Sequence, residues 1–333
     1  MSRVTSNIFT FVPFGFFGGV RLWIVDKNGF YDGGPASVNA YDPYGLTGGI
    51  ATTTMPAQVF GDGGVGGAGS TTGTYLVSYS GLTFGGPGQP EAFQVVTVDD
   101  PVGNVGGPFF SQQFVILPDI EDVGGIFGFP SLPDAPQADS TFLIEVNDRR
   151  ALDAVWRDGS LWMTTTINPN FGSEVGETSA FWAKLDTTGG GGVVTLDDYG
   201  VIGGEEIAAN TTTFFSSVAV NRHGEAMFGF SASAPEIYAG AFVAGRQPGD
   251  LFGTLQPART VKAGEGPYKR YFGGTRNRWG DYSGIALDPS NEKFFWVFNE
   301  FADEPGSAGD GAFGPEDGRW GTAWGRASFN GSD

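Results

Sequence analysis

Three stretches of this chain follow one plan. They are "RRALDAVWRDGSLWMTTTI" (Arg149 to Ile167), "FFSSVAVNRHGEAMFGFSAS" (Phe214 to Ser233) and "GDYSGIALDPSNEKFFWVFNEF" (Gly280 to Phe301). Each opens with a small-residue or apolar strand, passes through a polar turn, and returns as a second, aromatic-rich strand. The turns are Arg157-Asp158-Gly159, Asn221-Arg222-His223-Gly224 and Asp288-Pro289-Ser290-Asn291. Gly, Asn, Asp and Pro supply the backbone dihedrals of tight hairpins, so the plan reads as a repeated β-hairpin. The spacing of roughly 65 residues, with further strand candidates after the hairpins, predicts repeated antiparallel sheets. No long stretch has helical periodicity.

The later strand candidates are Ala180 to Asp186 with Val193 to Gly200, Ala239 to Gly245 with Gly253 to Val261, and Gly321 to Phe329. Upstream, Thr74 to Ser80, Ala92 to Val98 and Gln112 to Leu117 form a further unit, with Pro56 to Phe60 as its innermost strand. Arg3 to Phe11, Val20 to Asp26 and Ala36 to Asp42 form part of another, which starts at its second strand. The expectation is an all-β, single-domain β-propeller spanning 1–333. Its four-stranded blades fall at about 1–45, 46–120, 141–203, 212–263 and 279–330. Two alternatives stay open: a complete five-unit protein with an irregular first unit, or an N-terminally truncated larger propeller.

Composition agrees with a folded β protein. Hydrophobic residues make up 40% of the 333 and charged residues 17%, while 56 Gly accompany 30 Phe. Without Cys there are no disulfides or thiolate metal sites. The single His223 excludes a His-rich zinc site and lies in a hairpin turn, where an exposed residue is expected. A formal net charge of -19 repels phosphate backbones and anionic lipid, which argues against nucleic-acid and membrane partners. No apolar run is long enough to span a bilayer, and residues 1–10 lack signal-peptide features.

The motifs "APQADS", "NDRRALDAVWRDGSLW", "VAVNRHGEAMFGFSAS", "NRWGDYSGIALDP", "FFWVFNEFA" and "RWGTAWGRASF" together resemble a group of large secreted bacterial β-propeller proteins, loosely termed sialidase-like. The resemblance covers about residues 20–329. It implies a secreted or cell-surface location and further sequence upstream, and it carries no agreed activity. The sialidase label itself fits poorly. No copy of the S-x-D-x-G-x-T-W box is present, and no spacing assigns the arginine triad or the Tyr-Glu pair of that chemistry.

Asp148, Arg149, Arg278, Asp281 and Tyr282 precede proposed inner strands, and Glu300 sits at the far end of a second strand that returns to the same face. They are expected to converge on one polar, ligand-binding pocket. The plainer structural alternative pairs Arg278 with Asp281 or Glu300 as a tie between blades. In extended chain, Trp279 and Asp281 would turn inward while Arg278 and Tyr282 face a ligand. The expected role is a binding or scaffold module for a glycan or protein partner. The alternative is a glycoside-acting hydrolase using Asp281 and Glu300, favoured by an open separation of ~5–10 Å and disfavoured by ion pairing. No catalytic residue, cofactor or metal ligand is assigned. Calcium is a candidate only for Asp303 to Gly318, an acidic loop without the EF-hand pattern.

Overall fold

The computed structural model describes residues 2–10, 16–26, 28–35, 37–42, 54–60, 73–79, 88–101, 106–122, 132–147, 149–272, 274–306, 309–311 and 314–329. Regular structure there is β, apart from one helix at Asn28–Asp32 and a 3-10 turn at Gly190–Gly192. The strands are β1 (Ser2–Thr10), β2 (Phe16–Asp26), β3 (Ser37–Tyr41), β4 (Met55–Pro56), β5 (Gln58–Phe60), β6 (Thr74–Tyr79), β7 (Ala92–Asp99) and β8 (Phe109–Ile116). They continue as β9 (Asp153–Arg157), β10 (Ser160–Ile167), β11 (Ser179–Asp186), β12 (Thr195–Ile202), β13 (Thr212–Val220), β14 (Ala226–Ala234), β15 (Ile237–Arg246) and β16 (Arg259–Lys262). The last are β17 (Gly284–Leu287), β18 (Phe295–Asp303), β19 (Gly309–Gly311), β20 (Gly314–Glu316) and β21 (Arg319–Ala327).

Five main sheets follow one another along the chain. Their strand orders are β1-β2-β3, β4-β6-β7-β8, β12-β11-β10-β9-β5, β13-β14-β15-β16 and β17-β18-β21; β19 and β20 form a separate small hairpin. Among the described residues, pairing between these strands is antiparallel except where β5 runs parallel to β9, and an isolated parallel bridge joins Glu145 to Arg278. The proposed inner strand at Pro56 to Phe60 is therefore divided. Met55 and Pro56 pair within the second sheet, whereas Gln58 to Phe60 join the third. Pro56 has no N–H with which to extend the ladder, and the chain changes partner just beyond it.

The hairpin turns behave as their residues dictate. Asp158 and Gly159 both have positive φ, 48° and 83°, which matches a two-residue turn twisted like its strands. Gly224 closes the β13–β14 turn at φ 74°. His223 is exposed there.

Each neighbouring pair of main sheets encloses its own apolar core. Leu22 and Ile24 meet Leu76 and Val96. Phe93 and Val95 meet Met163 and Phe181. Trp162 and Trp182 meet Phe228 and Phe242, and Met227 and Val243 meet Phe295 and Val297. Sheets stacked in this way bury both faces of the central strands. β13 and β14 are accordingly buried at every position and show no alternation. Small residues permit the close approach: a Cβ on Gly229 would lie 2.9 Å from the Val297 side chain. Polar bridges join the first strands of successive sheets. Asp153 of β9 accepts the Val218 N–H of β13, and the Ser283 hydroxyl before β17 donates to the Phe215 carbonyl.

Candidate functional site

The segment between β16 and β17 is long, irregular and firmly tied. The buried Gln137 accepts the Tyr268 N–H and donates to the Tyr268 carbonyl, at 2.6 and 2.8 Å. The buried Asn277 accepts the Arg270 N–H and donates to the carbonyls of Leu143 and Tyr268. Glu316 accepts the N–H groups of Tyr271 and Phe272. These bonds hold Phe272 at φ 51°, an unfavourable region for an aromatic residue, with its ring 67% exposed.

The result is an open hollow of about 260 Å³ beside β17 and β18. Four aromatic side chains line it: Tyr268 and Trp279, which are buried, and Phe272 and Trp320, which are exposed. Tyr268 and Trp279 meet edge to face with centroids 4.9 Å apart. The polar lining is Arg278, Gly280 and Glu300. The Gly280 N–H donates to Glu300 at 3.3 Å, and a Cβ at position 280 would overlap that carboxylate. Burial raises the Glu300 carboxyl above the usual glutamate range; the Gly280 bond opposes this and the Asp281 charge adds to it. Burial, reinforced by Glu300, also holds the Tyr268 hydroxyl in its neutral form.

Of the residues expected to converge, Arg278 and Glu300 line this hollow. Asp281 sits beside it, accepting from Asn147 at 2.6 Å and paired with Arg278 at 3.0 Å. The two residues of that pair are three positions apart in one bend, so the pair is not a tie between sheets. The expected alternation therefore fails: the chain curls around Gly280, Trp279 is buried as expected, and Asp281 stays half-buried against Arg278 and Asn147. Tyr282 is 52% exposed and is not part of the lining. Arg149 is placed elsewhere, because its guanidinium is buried against Glu121 at 2.6 Å. Asp148 lies outside the described residues, as do the side chains of residues 307–315 in the suggested calcium loop.

Sequence reasoning missed Tyr268, Phe272 and Trp320. Their signal was faint: aromatics followed by glycine at Phe272-Gly273 and Trp320-Gly321. Two larger hollows lie elsewhere. One of about 460 Å³ separates β15–β16 from β21 and has no carboxylate in its lining. The other, about 360 Å³, adjoins the hairpin turns at Asp158 and His223. Neither is lined by exposed aromatics together with an acid and a base. No helix among the described residues is long and apolar enough to cross a membrane.

No family model and no curated protein matches the chain. Among solved structures it is similar to Bacteroides ovatus Xyloglucan PUL GH43B, at 12% identity and a TM-score of 0.31. The likeness covers 85% of this chain but 41% of the other, so the chain spans less than half of that protein's length. A superposition this loose assigns neither arrangement nor activity.

Proposed function

We propose that the chain is a propeller-like fan of sheets whose hollow at Arg278, Glu300 and Trp320 binds a glycan. The carrying observation is the aromatic lining, half exposed, around one cation and one carboxyl group. Sugar rings offer C–H faces to aromatic rings and hydroxyls to charged or polar groups, and this lining presents both kinds of partner. The blade reading is supported by the succession of sheets with stacked cores and bridged first strands. A secreted or cell-surface location belongs to the same proposal, as does the absence of nucleic-acid and membrane partners, supported by the charge of -19.

The test is calorimetric titration of neutral and uronic-acid-containing oligosaccharides. At least one class is expected to bind, with affinity falling at least tenfold in Trp320→Ala and several-fold in Arg278→Ala at unchanged melting temperature. A panel with no binding, or equal binding by Trp320→Ala, would overturn the proposal.

One observation favours a hydrolytic second reading. Glu300 is a half-buried carboxyl that burial and the nearby Asp281 charge push toward its protonated form, the condition of a general acid. Against it, Asp281 is engaged by Arg278 and Asn147. Hydrolysis of a bound oligosaccharide that is abolished in Glu300→Gln, with binding retained, would establish the enzyme. Binding without turnover in the native protein would leave the module reading.

A further inference from the structure

Away from that hollow, two loops of the third sheet carry glutamates into one place. Residues 168–178 connect β10 to β11, and residues 203–211 leave β12 for β13. They are held side by side where the Thr213 N–H, at the start of β13, donates to the Thr178 carbonyl. Gly172, Gly176 and Gly204 take positive φ, which lets both loops turn sharply. Glu174, Glu177 and Glu205 each present a carboxylate oxygen, and the three oxygens lie within 4.8 Å of one another. We propose that these three glutamates bind a calcium ion.

A cluster of acids alone would not support this, because exposed carboxylates are common on a protein of charge -19. The second observation is Glu174 itself. It is 97% buried, at 3% exposure, and its Oε2 has no hydrogen-bond partner among the described residues. Its Oε1 accepts the Ser173 hydroxyl, at 2.9 Å. Gly203 backs the same carboxylate so closely that a Cβ there would lie 2.6 Å from Oε1. A buried carboxylate oxygen with no donor is costly unless a proton or a cation completes it. The neighbouring charges that act on it, Glu205, Glu177 and Glu206, are all acidic. A cation bound there removes the repulsion and supplies the missing partner.

The donor set selects the ion. All donors are oxygens, so a hard cation is favoured over zinc or copper. Calcium–oxygen bonds of about 2.3–2.6 Å let two ligands of one ion lie up to about 5 Å apart, which accommodates the observed spacing. Burial grades from Glu174 through Glu177 to the exposed Glu205, leaving an open side for waters. Two loops and an open side suit the flexible shell of calcium better than the strict octahedron of magnesium.

The test is calorimetric titration of EDTA-stripped protein with calcium chloride, alongside thermal melts with and without the ion. The native chain is expected to bind one calcium and to melt higher when loaded. Glu174→Gln should abolish both effects while melting, without calcium, no lower than the native chain. Glu205→Gln, at an exposed position, should weaken binding at least tenfold with its calcium-free melt unchanged. Glu236→Gln, at an exposed glutamate outside the cluster, should bind as the native chain does. The site is overturned if the native chain takes up no calcium, which would leave Glu174 completed by a proton. It is also overturned if Glu174→Gln or Glu205→Gln binds like the native chain.

Discussion

Two of the arginine–carboxylate pairs among the described residues share one chemistry in opposite surroundings. Arg149 and Glu121 meet at 2.6 Å, with side chains 4% and 0% exposed. Glu121 also accepts the Tyr79 hydroxyl at 2.8 Å and the Asn168 N–H at 3.0 Å. The pair thus joins the end of β6, the segment after β8 and the approach to β9. Arg278 and Asp281 meet at 3.0 Å with side chains 48% and 28% exposed, inside one bend. Water screens the second pair and is excluded from the first. One therefore holds segments together at a high desolvation cost, whereas the other leaves its guanidinium accessible to a ligand.

The largest expected effect lies at the buried pair. Glu121→Ala removes the carboxylate paired with the buried Arg149 and the acceptor used by Tyr79 and Asn168. It should destabilise the fold by about 3–5 kcal/mol in urea unfolding. A loss below about 1 kcal/mol would show that water enters and that the two pairs are not different in kind.

Next comes the pH dependence of the same neighbourhood. Glu91 is fully buried, accepts the Ile120 N–H, and has no partner for its other oxygen among the described residues. Burial raises its carboxyl to about 7; the Ile120 bond opposes the shift, and the charges of Glu121 and Asp119 add to it. A carboxyl raised on folding contributes stability that is complete below its unfolded pKa and lost as pH climbs through the folded one. Stability should therefore fall from about pH 4.5 to about pH 7 on this account, by at most about 3 kcal/mol. Glu91→Gln should flatten that fall and raise stability at pH 8. A profile identical to the native one would remove Glu91 as the cause.

Smaller effects are expected at the open pair. Asp281→Ala leaves Asn147 and Arg278 without their shared acceptor and should cost about 1 kcal/mol by thermal melting. Arg278→Ala should stay within about 0.5 kcal/mol of the native chain. The reverse order, with Arg278→Ala the more damaging, would show that the arginine braces the loop.

The same contrast explains what the sequence disclosed. Hairpins were legible because Asp158-Gly159 and Asn221 to Gly224 encode their own turns. Arg278 and Glu300 were legible as site residues because they stand near the ends of recognisable strands. Arg149 was misplaced because its sequence shows a cation but not the acid that covers it, which lies 28 residues away. Tyr268 and Phe272 were missed because their positions depend on Gln137, Asn277 and Glu316, bonds that no local pattern announces. The parallel contact of β5 with β9 was equally hidden, since three residues carry too little pattern to name a partner.

The most direct measurement is a pair of double-mutant cycles followed by urea unfolding. Arg149→Met with Glu121→Gln probes the buried pair, and Arg278→Met with Asp281→Asn probes the open one. Coupling of at least about 2 kcal/mol is expected at the buried pair, and below about 0.5 kcal/mol at the open pair. Equal couplings, or the larger value at Arg278 and Asp281, would contradict the division between a pair that holds the fold and a pair left accessible to a ligand.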